Sequence, residues 1–200
     1  MCAETATKRR YRMVARAEAS AASGERMLSV AWERFCERPY EQVRLADIAA
    51  EAGVTVQTLH SRFGTKDDLF VAAWRWFVRP QGARRDRVAA GDLRAGIRAL
   101  YDDYEQDGDA VLRLMAQEER IPAVREMIDS GRAYHRDWVG RVFAPLLDGL
   151  GPAARERRLV ELVVATDLLV WKLLRRDMGL GRKPAERIVA EMVTALKGAC

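Results

Sequence analysis

The stretch Val43–Leu69, VRLADIAAEAGVTVQTLHSRFGTKDDL, leaves room for two very short helices with a sharp turn between them and a third helix starting directly after. In Leu45–Ala52 the apolar residues Leu45, Ile48, Ala49 and Ala52 recur at helical spacing. Gly53 follows where a helix commonly ends in a left-handed residue, so the backbone can turn sharply there. Thr55 is a good N-cap for a helix with Val56, Leu59 and Phe63 on one face and Gln57, Thr58, His60, Ser61 and Arg62 on the other. A helix this short and polar adds little stability of its own. The pattern is that of a helix-turn-helix over about residues 44–63, whose second helix enters a major groove. Thr65 and Asp68 have the spacing of a capping box, which would aim backbone N–H groups and Lys66 outward to where a phosphate can sit.

Gly53-Val54-Thr55, Leu59-His60, Phe63, Lys66 and Leu69, preceded by Ile48-Ala49 and a helix ending in Phe35, resemble the tetracycline-repressor (TetR) family. The resemblance is strong over about residues 21–81 and continues more weakly to the C-terminus. Three positions depart from the family pattern. Gln57 stands where a small residue is usual, His60 where tyrosine is usual, and Arg44 where threonine usually caps the first motif helix. A guanidinium only donates, so Arg44 caps nothing through its side chain, although it suits a phosphate.

The expected fold is all-α. A basic arm over residues 1–20 precedes a three-helix, helix-turn-helix DNA-binding domain over 21–81, and a helical domain over 82–200 follows. Ser23 is the predicted cap of a first helix running to about Cys36, and Pro80-Gln81-Gly82 is predicted to stop the helix that starts at Lys66. Beyond it, helices are predicted at about 91–106, 109–119, 122–148, 153–178 and 184–197, with Gly108 as a break and Pro145 as a kink or early end. Leu159, Leu162, Val163, Thr166, Leu169, Val170 and Leu173 form a broad apolar surface on one of the last two helices. Ile188, Val189, Met192, Ala195 and Leu196 form another. By pattern alone these faces either cover the chain's own core or pack on a second subunit. The resemblance implies the second, a homodimer through the helices at about 153–178 and 184–197.

Charge says less than it first suggests. The net charge is +5, but residues 1–16 hold five basic side chains against Glu4, and residues 17–80 are close to neutral. The placement of Arg44, Arg62 and Lys66, and of the arm Lys8-Arg9-Arg10-Tyr11-Arg12, points to nucleic acid where the total does not. Cys2, Cys36 and Cys200 are too few and scattered for a disulfide framework or a zinc site, so all three are expected as thiols. No apolar run has the length of a membrane span, and the basic N-terminus lacks an apolar h-region, so no membrane partner and a cytoplasmic location are expected.

Catalysis has no support in the motifs. The two histidines, His60 and His135, are not preceded three residues earlier by Glu, and HExxH, P-loop, GxGxxG and GxSxG patterns are missing. No catalytic residue, metal site or cofactor is expected. For a ligand, the residues of interest are Tyr101, Tyr104, Met115, Glu118, His135, Trp138, Asp167 and Trp171, with Phe143 beside them. Aromatic and methionine side chains with a few polar groups suit an apolar pocket between helices. They equally suit an ordinary core, and it is the resemblance that implies a small-molecule effector cavity among them. His135 and Asp167 stand out because each interrupts a mostly apolar stripe.

The expected function is a sequence-specific transcriptional regulator, with repression the family's common mode. It would be released from a pseudo-palindromic double-stranded operator by a small-molecule effector. Base readout is assigned to Val56, Gln57 and His60, since Gln57 can pair with adenine and Val56 can pack on a thymine methyl. Arg44, Thr55, Thr58, Ser61 and Lys66 are assigned mainly to phosphates. The alternative is a helical protein-binding module whose helix-turn-helix serves only packing.

Overall fold

The computed structural model describes residues 2–197, with side chains from residue 15 onward except residue 17. The side chains of Cys2, Lys8, Arg9, Arg10, Tyr11 and Arg12, and the whole of Cys200, lie outside the described residues. Among those described, every regular element is helical, and the chain divides into two compact units between Val78 and Arg79.

In the first unit α1 spans Cys2–Glu37, α2 Leu45–Ala52 and α3 Val56–Phe63, and α4 starts at Lys66. Ser23 is therefore mid-helix rather than a cap. The run Met13–Ala22 upstream of it is rich in alanine, the strongest helix former, which carries the helix through a residue suited to start one. Met27, Ala31 and Phe35 of α1, Ile48 and Ala52 of α2, Leu59 of α3, and Leu69, Phe70 and Ala73 of α4 are all buried. Phe35 meets Phe70 edge-on with centroids 4.9 Å apart, and Trp32 stacks on Phe77 at 4.5 Å. Arg34 ties α1 to α2 through Glu51, and Cys36 takes part in no disulfide.

Helix α4 runs on to Arg85, past the predicted stop at Pro80. A proline in a helix removes one hydrogen bond, but the turn after it is anchored from several sides. Gln81 donates to Asp107, Arg84 and Arg85 both pair with Asp103, and the Trp138 indole donates to the Arg85 carbonyl. These contacts make Gln81–Arg85 an integral part of the second unit.

In that unit α5 spans Leu93–Met115, α6 Pro122–Val142, α7 Pro152–Ala165, α8 Leu168–Lys172 and α9 Arg182–Ala195. Gly108 does not break α5. A Cβ there would lie 2.7 Å from the Trp171 ring, so the glycine admits a tryptophan against the helix backbone. Pro145 falls after α6, in a short 3-10 turn over Ala144–Leu146. The long helix predicted over 153–178 is instead three pieces. Thr166 turns its hydroxyl back onto the Leu162 carbonyl at 2.8 Å, Asp167 caps α8, and a π-helical turn covers Leu173–Asp177. Side-chain hydroxyls and carboxylates that compete for backbone groups end helices in this way.

The predicted apolar surfaces also shift. Leu162, Thr166 and Val189 belong to the unit's own core, while Val160, Val164, Leu169, Leu173, Met178 and Met192 are exposed. Among the described residues no helix is long and apolar enough to cross a membrane.

Candidate nucleic-acid interface

The turn between α2 and α3 follows from two residues. Gly53 adopts φ 69°, ψ 35° and closes α2 by donating to Ala49 and Ala50 carbonyls. Thr55 then caps α3, its hydroxyl oxygen accepting from the Thr58 N–H at 3.1 Å. Leu59, 1% exposed, is the anchor that seats α3 on the core. Its burial fixes which face turns outward, since residues on a helix are committed in register.

That outward face carries Gln57, Thr58, His60 and Ser61, all exposed, with Val56 half-buried at its edge. Gln57 reaches Ser61 only at 3.5 Å, at the outer limit of a hydrogen bond. The Thr55 and Thr58 hydroxyls lie 2.9 Å apart. The His60 Nδ1 lies 2.9 Å from the Gly64 carbonyl. Arg44 is exposed at the start of α2 and makes no cap. Such a surface can supply amide, hydroxyl and imidazole groups to base edges and phosphates.

Two basic residues sit differently from the outward pose expected of them. The Lys66 ammonium donates to the Tyr40 carbonyl at 2.5 Å and lies 4.4 Å from the Tyr40 ring centre. Burial pushes its pKa down, against the pull of Glu41 and Asp67. Arg62 lies across α1, donating to Ser20 at 3.2 Å, and a Cβ on Gly24 would collide with its guanidinium. The capping box itself is complete. Asp68 accepts from the Thr65 N–H and hydroxyl, Thr65 accepts from the Asp68 N–H, and the Thr65 donors hold the Asp68 carboxyl below its usual pKa.

The eight ligand candidates fall into three places in the second unit. Tyr104, His135, Trp138, Asp167 and Trp171 come together around Thr166 and Arg85. The Tyr104 hydroxyl donates to the Thr166 carbonyl, His135 bonds the Thr166 hydroxyl, and the Trp171 indole donates to Glu105. The Arg85 guanidinium lies 5.7–6.0 Å from the ring centres of Tyr104, Tyr134 and Trp138. Burial first, then the Arg85 charge, push the His135 pKa down to about 4, with the Val163 carbonyl opposing. Asp167 is committed to the Leu169 N–H as the cap of α8.

Tyr101 stands apart, its hydroxyl buried without a partner and pushed up to about 12, chiefly by burial and then by Glu186 and Glu105. Met115 and Glu118 lie at the end of α5 and just beyond it. Glu118 is ion-paired through both oxygens with Arg132, at 2.9 and 3.0 Å. A groove of about 610 Å³ between the start of α5 and the end of α9, lined by Leu93, Arg94, Ile97, Arg187, Ala190 and Glu191 among others, contains none of the eight.

The polar hub that sequence reasoning missed is Arg85–Asp103, with Asp103 only 5% exposed. Its signal is faint: acidic residues on an otherwise apolar stripe of α5, opposite an arginine pair that the sequence pattern places beyond a helix end.

Known proteins agree with this geometry. The profile of bacterial regulatory proteins, tetR family, matches residues 27–73, which takes in the helix-turn-helix. An uncharacterized HTH-type transcriptional regulator of Bacillus subtilis is 32% identical over 79 residues, 38% of this chain and 41% of that protein. The match therefore spans well under half of that relative's length. A TetR-family transcriptional regulator from Streptomyces coelicolor superposes with a TM-score of 0.64 at 25% identity, covering 88% of this chain and 95% of its own. A structure from Saccharomonospora viridis, solved in complex with choline, superposes at 0.63 with 19% identity, covering 88% and 96%. These likenesses favour a DNA-binding regulator over a protein-binding module. Residues 27–73 thus match the TetR family of regulators, and the chain shares its all-α fold, with a helix-turn-helix in the N-terminal unit, with a TetR-family regulator of known structure.

Proposed function

We propose that the protein is a homodimeric repressor that holds a pseudo-palindromic operator and releases it when a small molecule binds the second unit. The observation that carries the DNA half is the face of α3. Gln57, Thr58, His60 and Ser61 are exposed together on one face of a helix whose only buried residue is Leu59. On this reading Val56, Gln57 and His60 meet bases, and Arg44, Thr55, Thr58 and Ser61 meet phosphates. Lys66 joins them by exchanging the Tyr40 carbonyl for a phosphate oxygen. The exposed apolar residues Val160, Val164, Leu169, Leu173 and Met192 suit a subunit contact through α7 to α9. A two-fold pair of reading helices then fixes the half-site spacing.

The effector half rests on the polar groups around Thr166 and on Tyr101. A buried polar atom without a partner favours a ligand that supplies one. Arg85 already provides a cation to the Tyr104, Tyr134 and Trp138 rings. A neutral or anionic effector fits this cluster better than a quaternary ammonium such as the choline of the Saccharomonospora structure. An effector lowers operator affinity only by binding the non-reading state more tightly. Selection of bound sequences from a random duplex library at near-physiological salt tests the proposal. An enriched inverted repeat is expected, bound by two chains, and small molecules can then be screened for its release. Enrichment of nothing, with weak binding alone, contradicts it.

A further inference from the structure

We infer that His60 meets DNA as a hydrogen-bond acceptor, so that it reads a base's exocyclic amine in the major groove and does not hold a phosphate. The inference rests on the DNA-reading function proposed for α3.

Its basis is the contact at the end of that helix. The His60 Nδ1 lies 2.9 Å from the Gly64 carbonyl oxygen. A carbonyl only accepts, so Nδ1 must carry the proton. In the neutral ring the other nitrogen, Nε2, is then a bare lone pair. Nε2 is the outer atom of the side chain, and the residue is exposed beside Gln57 and Ser61. A phosphate oxygen is also a pure acceptor, so the two would repel rather than bond. In the major groove the complementary donors are adenine N6 and cytosine N4.

Gly64 makes this arrangement possible. It adopts φ 84°, ψ −129°, a conformation side chains rarely take, and in it donates its own N–H to the His60 carbonyl while offering its oxygen to the ring. His60 and Gly64 thus form a closed pair that sets the polarity of the exposed nitrogen.

His135, the chain's other histidine, has the opposite tautomer. Thr166 donates its hydroxyl to the Leu162 carbonyl at 2.8 Å, so the His135 Nε2 at 3.1 Å must donate to that hydroxyl oxygen. The protein therefore holds one imidazole of each tautomer, and long-range proton–nitrogen NMR on the free protein distinguishes them. The expected spectrum shows one ring protonated at Nδ1, lost in His60→Ala, and one protonated at Nε2. Two Nε2-protonated rings overturn the inference before any DNA is added.

The DNA experiment uses an operator selected by the wild-type protein, in mildly alkaline buffer. His60→Ala should relax one base pair of the half-site and leave the others. At that pair, replacing adenine by purine, or cytosine by 2-pyrimidinone, removes the amine alone. Wild type should then lose about three- to tenfold in affinity, the range of a single net hydrogen bond, and His60→Ala should lose nothing further. Equal losses in both proteins, or a uniform weakening of all sequences by His60→Ala, overturn the assignment. Failure of wild type to select any repeat is a different result, and removes the DNA-reading function beneath it.

Discussion

The polar side chains of the two units face opposite demands. On α3, Gln57, Thr58, His60 and Ser61 are exposed, and their side-chain contacts stay within the helix and its two caps, Thr55 and Gly64. In the second unit Asp103, His135 and Thr166 are buried and bonded to the rest of the fold. The first set costs little stability to change and is available to a partner. The second set holds helices together, so a ligand there must compete with bonds already made. Mutations of these polar groups should therefore separate cleanly, with specificity lost in one unit and stability in the other.

The largest expected effect is at Asp103. Asp103→Ala leaves Arg85, itself 9% exposed, as an uncompensated buried charge, and should destabilise the second unit by about 3–5 kcal/mol in thermal or denaturant melts. Leu59→Ala comes close behind, at about 2–5 kcal/mol, and should abolish DNA binding by loosening α3. Gly108→Ala is a sharper test of packing. Alanine favours a helix by about 1 kcal/mol, but a methyl 2.7 Å from the Trp171 ring should reverse the sign and cost about 1–3 kcal/mol. A stabilised Gly108→Ala protein would mean that Trp171 is not held against α5.

Acid stability sets two titrating groups against each other. The His135 pKa falls from 6.5 to about 4 on folding, so the unfolded chain binds more protons between those values. Stability from the neutral ring is present above pH 6.5 and is lost as pH falls toward 4, by roughly 3 kcal/mol. Asp107 behaves in the opposite sense. Burial raises its carboxyl to about 6, so the folded state binds the extra proton and stability rises as pH falls from 6 toward 4. Asp107 is only half-buried, so its share is the smaller. Asp107→Asn removes that counterweight, and the fall in melting temperature between pH 6 and 4 should steepen. An unchanged profile would remove Asp107 from the account.

The smallest stability effects belong to the reading face. Gln57→Ala should change stability by no more than about 0.5 kcal/mol, yet cost about 1–3 kcal/mol on the preferred operator. Lys66→Ala should weaken all sequences alike and flatten the salt dependence, because a phosphate contact carries no sequence information.

The contrast also explains what is legible in the sequence alone. The helix-turn-helix is local: Gly53, Thr55 and the Thr65–Asp68 box each act within a few residues, and each stands where the sequence places it. The errors lie where distant residues decide. Gly108 looks like a break until Trp171, far along the chain, packs on it. Pro80 looks like a stop until Asp103 and Asp107 hold the next turn of α4. Thr166 looks like one more member of an apolar stripe until its hydroxyl bonds both Leu162 and His135. The direction of Arg62 is hidden for the same reason, since its seat is Gly24 on another helix.

The central claim is that the outward face of α3 carries specificity. Its most direct test is the ratio of affinities for the selected repeat and a scrambled duplex, measured at one salt concentration for wild type and for Gln57→Ala/His60→Ala. The ratio should fall at least about tenfold, with an unchanged melting temperature and little loss on scrambled DNA. A ratio equal to wild type's, in a variant that still folds and binds, would contradict the account and place sequence reading elsewhere on the protein.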